Sequence, residues 1–445
     1  MTRASRSSSP PKRITISDAN ANFEREPLIR PFGFKGGYTT ENWQTVAMLQ
    51  SEAGQRGIGL STQGVLWSDA RVFAAHSESG GNALMYAMTE FALQQLKGRT
   101  FSNPVDLLDT TWREVHAYGR TITRNPALRE TFALNALVGV DFAAWLLYAA
   151  ENGIISFDDL IPATYAPALG HHHTRVASIP LMAYAIPIDE INAAAGEGYF
   201  FMKIKIGQPG TQDEMLEKDK ARLREIHRAI GDARTPYTHT GKLPYYFDAN
   251  GRYESKETLL RLLEHAEKIG AFEQIALIEE PFPEELEIDV SDIPARLAAD
   301  ESAHTDHDAL TRIQMGYKAI ALKPIAKTLS MSFKIAQVAH THDIPCFCAD
   351  LTVSPVLVEW NKCVAARLAP FPGLEGLGLL ETNGHQNYRN WEQMRSHHPA
   401  PNAPWANTRR GVFELDAGYY ARSGGIFTPL PHYEAMVRPR PKGKE

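Results

Sequence analysis

At 445 residues the chain exceeds the ~250–300 at which a single hydrophobic core stops growing, so two domains are expected, one of them large. A formal net charge of −6 leaves no basic surplus, which argues against nucleic acid or an anionic membrane as partner. Three cysteines cannot build a disulfide framework, so Cys346, Cys348 and Cys363 read as buried thiols of a reducing, cytoplasmic compartment.

The first 13 residues, MTRASRSSSPPKR, are basic, rich in Ser and Pro, and followed by no apolar run. They read as a disordered tail rather than a secretory signal. Residues 14–75 mix short β-like runs (RITISDA, QRGIGLSTQG) with polar turns. Within them Phe32, Phe34 and Tyr38 alternate with glycines, a composition that suits a lid: glycines hinge, aromatics give the loop something to bury. Helical spacing follows over Asn82–Leu96, and two further helices are expected over Val105–Tyr118 and Asn125–Ala150. The most apolar stretch, Asn135–Ala150, is interrupted by Asp141 and too short to span a bilayer, so it reads as a buried helix. Residues 14–165 thus form an α+β domain.

A connector, IPATYAPALGHHHTR, leads on. His171, His172 and His173 are consecutive and cannot all face one ion in a regular element, so no metal tract is expected there. From Ile179 strands and helices alternate. The strand candidates are IPLMAYAI, YFFMKIKIG, PYYFDAN, IALIEE, RLAADE, KAIALK, IPCFCA and LEGLGLLE. Helical patterns occupy Asp189–Gly196, Gln212–Ile230, Ser255–Gly270, Asp306–Met315, Ser330–His342 and Pro355–Leu368. Eight apolar strands alternating with helices predict a parallel sheet closed into a TIM-type barrel over 175–385. Residues 386–445 revert to turns and β-like runs (GVFELD, GGIFTPLP) and are expected to return to the front domain.

Several barrel strands end on a charged residue. Asp248, Glu279, Asp300 and Lys323 close four successive strands, as expected of side chains delivered to a barrel mouth. Three converging carboxylates repel unless a cation neutralises them, and sparse all-oxygen ligation suits Mg²⁺, with Mn²⁺ second. Asp248, Glu279 and Asp300 are the expected ligands; Glu280 and Glu301, one residue later, are expected to point away into supporting roles. On the second strand Lys203 and Lys205 share a face. Side by side and desolvated, two ammonium groups push a lysine toward neutrality, as a general base requires. Strands two and six lie on opposite walls, so Lys205 and Lys323 are placed to face one substrate carbon from two sides.

These motifs (KIK before Gly, DANGRY, IEEP, ADES, IALK) resemble the enolase superfamily, and the strand-six lysine its muconate-lactonizing-enzyme-like subgroup. GVDFAAWLL is similar to the helix before the barrel there. The resemblance covers roughly residues 135–385. It implies a modified (β/α)7β barrel, a capping domain from both chain ends, and one essential Mg²⁺. It implies acid/base roles for Lys205 and Lys323, an electrostatic role for Lys203, and metal ligation by Asp248, Glu279 and Asp300, a lysine-and-magnesium chemistry known for this superfamily. The mandelate-racemase branch, with a His at the seventh strand end, is disfavoured: Cys348-Ala349-Asp350 stands there.

Substrate contacts are expected from Asn250, Glu301, Asp350, Glu381 and Asn383. Dipeptide epimerases of the subgroup carry Asp-x-Asp at strand eight, where this chain has Glu381-Thr382-Asn383, one charge fewer, which Asp350 is placed to compensate. Pro324–Lys327 lacks the glycines common in the subgroup. The expected activity is abstraction of the proton α to a small-molecule carboxylate, through a metal-stabilised enolate. The outcome is racemisation or epimerisation of an amino-acid derivative or dipeptide; the same enolate serves cycloisomerisation or β-elimination. A barrel that only binds a carboxylate is the reading outside catalysis, and assembly into a homo-oligomer stays open.

Overall fold

The computed structural model describes residues 11–35 and 37–438; most of the expected tail, residues 1–10, lies outside them. The chain opens with β1 (Ile14–Phe34), β2 (Gly37–Ser51) and β3 (Arg56–Gln63), an antiparallel meander, then α1 (Val65–Ser68) and α2 (Ala70–Leu96). Next come β4 (Thr100–Phe101), α3 (Pro104–Thr123), α4 (Glu130–Asn152) and α5 (Phe157–Leu160). The helix expected from Asn82 begins earlier, at Ala70, and bends at Ser77, whose φ of 63° is left-handed. The helix expected from Asn125 begins instead at Glu130, beyond Pro126, which biases its predecessor away from helix.

Helix α4 is the spine of this part. Its 23 residues exceed the apolar stretch within it and suffice to cross a membrane, yet 89% of that window is buried inside the fold. It is a core helix. Its bed is β3, where alternation puts Gly57 and Gly59 on one face. A Cβ on either would lie 2.0 Å from the carbonyl oxygen of Ala143 or Gly139, so the glycines set how closely helix and strand approach.

The alternating region follows: β5 (Arg175–Ile179), β6 (Leu181–Met182), α6 (Ile188–Gly196), β7 (Met202–Lys205), α7 (Gln212–Ile230), β8 (Tyr245–Asp248), α8 (Lys256–Lys268), β9 (Ile275–Glu279) and β10 (Leu297–Ala299). It continues with α9 (Asp306–Gln314), β11 (Ala319–Leu322), α10 (Pro324–Lys327), α11 (Leu329–Thr341), β12 (Cys346–Cys348), α12 (Pro355–Ala365) and β13 (Gly378–Glu381). The sheet runs β14-β5-β13-β12-β11-β10-β9-β8-β7-β6, with β14 (Val412–Glu414) antiparallel on β5 and the other pairs parallel.

β5 and β6 stand at different positions in that order but are separated in sequence only by Pro180. β5 pairs with β13 and β6 with β7, and the Pro180 carbonyl accepts from the Lys203 amide at 3.0 Å. The curled sheet therefore meets itself at this strand. The first strand was expected over Ile179–Ile186; it lies earlier because Arg175–Ile179 is the run that pairs with β13, and the chain turns after Met182. Proline, which has no N–H to give, sits where the strand changes partner.

The remaining helices are α13 (Gly384–Asn387), α14 (Trp391–Ser396), α15 (Ala417–Arg422) and α16 (Pro431–Met436). Of the two C-terminal β-like runs, GVFELD supplies β14 and joins the barrel sheet rather than the front domain, while GGIFTPLP forms no strand. The last described residues do reach the front sheet: Asn20 and Asn22 donate to the carbonyls of Val437 and Met436 at 3.1 and 3.0 Å, and His432 meets Glu24 at 2.9 Å.

Candidate active site

Alternation along short strands decides which side chains enter the barrel. Lys203 and Lys205 on β7, Tyr246 and Asp248 on β8, and Glu279 at the end of β9 share the inner face. All are buried, although four of the five are of ordinarily charged types, and each is matched by its neighbours. The Lys203 ammonium lies 2.8 Å from Asp248 Oδ2, 2.9 Å from Glu279 Oε2 and 3.1 Å from Glu381 Oε2. Lys205 donates to the same Asp248 oxygen at 2.5 Å and to Asn250 Oδ1 at 2.6 Å. Tyr246 donates to Glu279.

Across the barrel, four strands on from β7, Lys323 bonds Asp300 Oδ2 at 2.5 Å. Its ammonium stands 4.5 Å from the ring centre of Trp67, whose indole N–H reaches Asp300 Oδ2 at 3.4 Å. Lys327, fully buried, donates to the main-chain carbonyls of Asp300 and Ala303 at 2.5 and 3.0 Å. Lys35, at the β1–β2 hairpin tip, pairs with Glu301 at 3.0 Å and donates to the Trp67 carbonyl at 3.0 Å.

Glu279, Asp300 and Glu301 form the one group of acids or other metal-ligand side chains, among the described residues, whose ligand atoms all lie within 4.8 Å of one another. Glu301 was expected to point away. It does not, because β10 ends at Ala299 and residues 300–303 form a turn in which strand alternation no longer holds. Asp248 is outside the trio: its Oδ2 takes both lysines and its Oδ1 accepts from the Asn250 amide at 2.9 Å. Glu280 accepts from the Asp300 amide and the Ser302 hydroxyl.

Seven buried carboxylates (Asp248, Glu279, Glu280, Asp300, Glu301, Asp350, Glu381) meet five ammonium groups (Lys35, Lys203, Lys205, Lys323, Lys327) in this network. The acid excess registers in the pKa values. Burial, with Asp300 and Glu381 nearby and against the pull of Lys203, pushes Glu279 up to about 8. Burial and Glu301 push Glu280 up to about 7, and burial and Glu381 push Asp350 up to about 7. Lys203 moves the other way from expectation. Burial would lower Lys203, but Asp248, Glu279 and Glu381 overcome it and hold it well above its ordinary value. Lys323 is likewise raised, because Asp300 outweighs burial and the repulsion from Lys203. Carboxylates, not the neighbouring amine, dominate the field at both.

The donor set fits a hard divalent cation. It is all oxygen, it carries two more negative than positive groups when fully ionised, and Glu301 Oε2 is buried with no hydrogen-bond partner in the structure.

A small cavity of about 60 Å³ lies between the barrel mouth and the front domain. It is lined by Lys203, Lys205, Lys323, Asp248, Asn250, Asp350, Glu381, Asn383, Phe32 and Phe34 of the predicted residues. Asp350 Oδ2 accepts from the Asn383 amide at 2.8 Å, and the Asn383 side chain donates to Glu381 Oε1 at 3.1 Å. Tyr38 is elsewhere, 65% exposed and packed across the hairpin on Gly33, where a Cβ would lie 2.6 Å from its ring. Residues 32–34, 37 and 38 of the expected loop are in fact paired strand, with Phe32 opposite Thr39, Gly33 opposite Tyr38 and Phe34 opposite Gly37.

Sequence reasoning missed Tyr246, Lys327, Lys35 and Trp67. Tyr246 carries a signal, two residues before Asp248 on an alternating strand, and Lys327 sits one helical turn beyond Lys323. Lys35 and Trp67 come from the front domain and carry no local sign of their role.

Residues 188–398 match the family model described as enolase C-terminal domain-like. No curated protein sequence matches the chain. Among solved structures, it is similar to an enolase superfamily member from Listeria innocua at 16% identity, covering 96% of this chain and 98% of that one, TM-score 0.64. A dipeptide epimerase from Enterococcus faecalis, solved with Mg and the dipeptide L-Leu-L-Tyr, matches at 16% identity over 92% of this chain and 99% of that one, TM-score 0.63. One from Cytophaga hutchinsonii, with Mg and D-Ala-L-Val, matches at 17% over 90% and 93%, TM-score 0.63. At these identities the likeness establishes the fold.

Proposed function

Residues 188–398 match the enolase C-terminal domain-like family model, and from that premise we propose that this chain is an enzyme that removes the proton α to a substrate carboxylate. The proposed outcome is epimerisation or racemisation of an amino-acid derivative or dipeptide. One observation carries the reading: Lys205 and Lys323, from strands four apart around an eight-unit barrel, line the same cavity beside a buried acid trio.

Lys205 and Lys323 are the proposed acid/base pair. One amine takes the α-proton and the other, from the opposite wall, returns a proton to the other face, which inverts the centre. Lys203, held charged by Asp248, Glu279 and Glu381, is the fixed positive charge of the site. Asp248, Glu279 and Asp300, with Glu301 beside them, are the residues that would hold Mg²⁺, or Mn²⁺ in its place. When bound, the ion supplies positive charge that stabilises the carboxylate as its α-proton leaves. Phe32 and Phe34 narrow the mouth and exclude water, the work proposed for the hairpin as a lid; Tyr38 supports it from outside. Asn250, Asp350, Glu381 and Asn383 are the polar contacts offered to the rest of the substrate. The dipeptides in the names of two structural neighbours support that substrate class.

The test is exchange of substrate α-protons with D₂O across a panel of dipeptides and N-acyl amino acids, with and without Mg²⁺. Exchange with inversion that needs the ion is expected, and Lys205→Ala and Lys323→Ala should each lose roughly 10²–10⁴-fold in turnover. Each variant should still exchange the epimer whose proton faces the remaining amine. Absence of exchange from every carboxylate sinks the proposal, and loss of a leaving group redirects it to a lyase.

A further inference from the structure

Asp300 is gripped by two lysines, and only one of them can meet a substrate. Lys323 binds Oδ2 and lines the cavity. Lys327 follows four residues later, at the end of α10, is fully buried and is not part of the cavity wall. Its ammonium has three donors, and all three acceptors belong to the turn after β10. Two are hydrogen bonds, to the Asp300 carbonyl at 2.5 Å and the Ala303 carbonyl at 3.0 Å, and the third is an ion-pair contact with Asp300 Oδ1 at 3.2 Å. The Ala303 amide closes the same turn on the Asp300 carbonyl at 3.1 Å. One buried cation thus fixes both ends of the segment that carries Asp300 and Glu301, two of the three clustered acids.

Burying an ammonium is costly unless its partners are complete, and a methionine would fill the same volume without that cost. A lysine here therefore has work to do on the turn itself. Resting on the divalent-cation reading above, we infer that Lys327 is a positioning residue for the cation site. It keeps Asp300 and Glu301 aimed at Glu279 by holding the main chain at Asp300 and at Ala303.

Mn²⁺ binding to the full chain and to Lys327→Met, Lys327→Gln and Lys362→Met, followed by calorimetry and by the electron paramagnetic resonance of free Mn²⁺, tests this. Lys362 is an equally buried lysine, bonded to Glu359 and the Trp405 carbonyl at 2.7 Å each and outside the cavity lining. Lys327→Met is expected to raise the Mn²⁺ Kd about 10–100-fold, the usual cost of losing a group that orients a metal ligand, and to shrink the Mn²⁺-induced rise in Tm. Lys362→Met should lower Tm and leave Kd unchanged. Lys327→Gln, one atom shorter, uncharged but still a donor, should fall between wild type and Lys327→Met, and it is the variant to read where Lys327→Met does not fold. Unchanged or tighter binding in the Lys327 variants overturns the inference, as does an equal loss in Lys362→Met. A wild type that binds no Mn²⁺ removes the cation reading and this inference together; wild-type binding with unaltered variants removes this inference alone.

Discussion

Lys203 shows how one side chain can hold a proposed catalytic centre in shape. Its ammonium touches three carboxylates from three strands, at 2.8–3.1 Å, with almost no solvent contact. Lys203→Met leaves those acids facing one another, and breaking a buried ionic cluster by removing one partner costs roughly 3–5 kcal/mol. The expected result is a lowered Tm that Mg²⁺ partly restores, since a cation replaces the missing charge; a Tm insensitive to Mg²⁺ in this variant would count against the site as a cation pocket. The charged strand ends were legible because each closes an apolar run, a juxtaposition costly without a function. Lys35 and Trp67 were not, since they lie more than 200 residues before the acids they touch and only the tertiary fold joins them. The direction of the Lys203 pKa was not legible for a related reason: Lys205 is its neighbour in sequence, whereas the carboxylates that outweigh it arrive from later strands.

Among elements, α4 joins the front domain to the barrel at both of its faces. On one side it lies on Gly57 and Gly59; Gly59→Ala puts a methyl group into the Gly139 carbonyl and should cost about 1–3 kcal/mol or more, as overpacking does, read from urea melts. On the other side Asp141 accepts from the amides of Leu329 and Ser330 at 2.9 and 3.0 Å and from the Ser330 hydroxyl at 2.5 Å, tying α4 to the first turn of α11. Burial pushes this carboxyl up to about 7, against the pull of those donors. A raised folded-state pKa favours the protonated form, so this contribution to stability is complete below the ordinary Asp value near 4 and is lost as pH rises to 7. Relative to Asp141→Asn, the wild type should therefore lose about 1.4 kcal/mol for each pH unit across that window; parallel stability curves for the two proteins would contradict it. Helices and strands with a clear period were legible, and their ends were not. Pro180 divides a strand by changing its partner, β10 stops at Ala299, and Phe32–Phe34 pair with Gly37–Thr39, all outcomes of pairing that no local pattern records.

At the scale of the whole molecule, the alternating pattern made the barrel legible, while the path of the last 60 residues was not. Its described residues, 386–438, hold only short helices and one three-residue strand, and their partners are the barrel's first strand and the opening sheet, hundreds of residues earlier. The cavity belongs to both parts of the chain, with Phe32, Phe34 and Trp67 facing Lys203, Lys205 and Lys323. The link goes deeper than a shared wall, because Trp67 bonds Asp300 and Lys35 bonds Glu301, so the front domain grips the same acids proposed to hold the cation. Binding at those acids must therefore stabilise both parts. At a Mg²⁺ concentration 100 times its Kd, mass action contributes about 2.7 kcal/mol. This should appear as an upward shift of one cooperative unfolding transition, with hydrogen exchange slowed together at the Phe34 and Gly37 amides of the hairpin and across residues 300–303. EDTA should reverse both. Two separate transitions, with only the barrel responding to Mg²⁺, would mean that the front domain rests on the site without sharing its energetics.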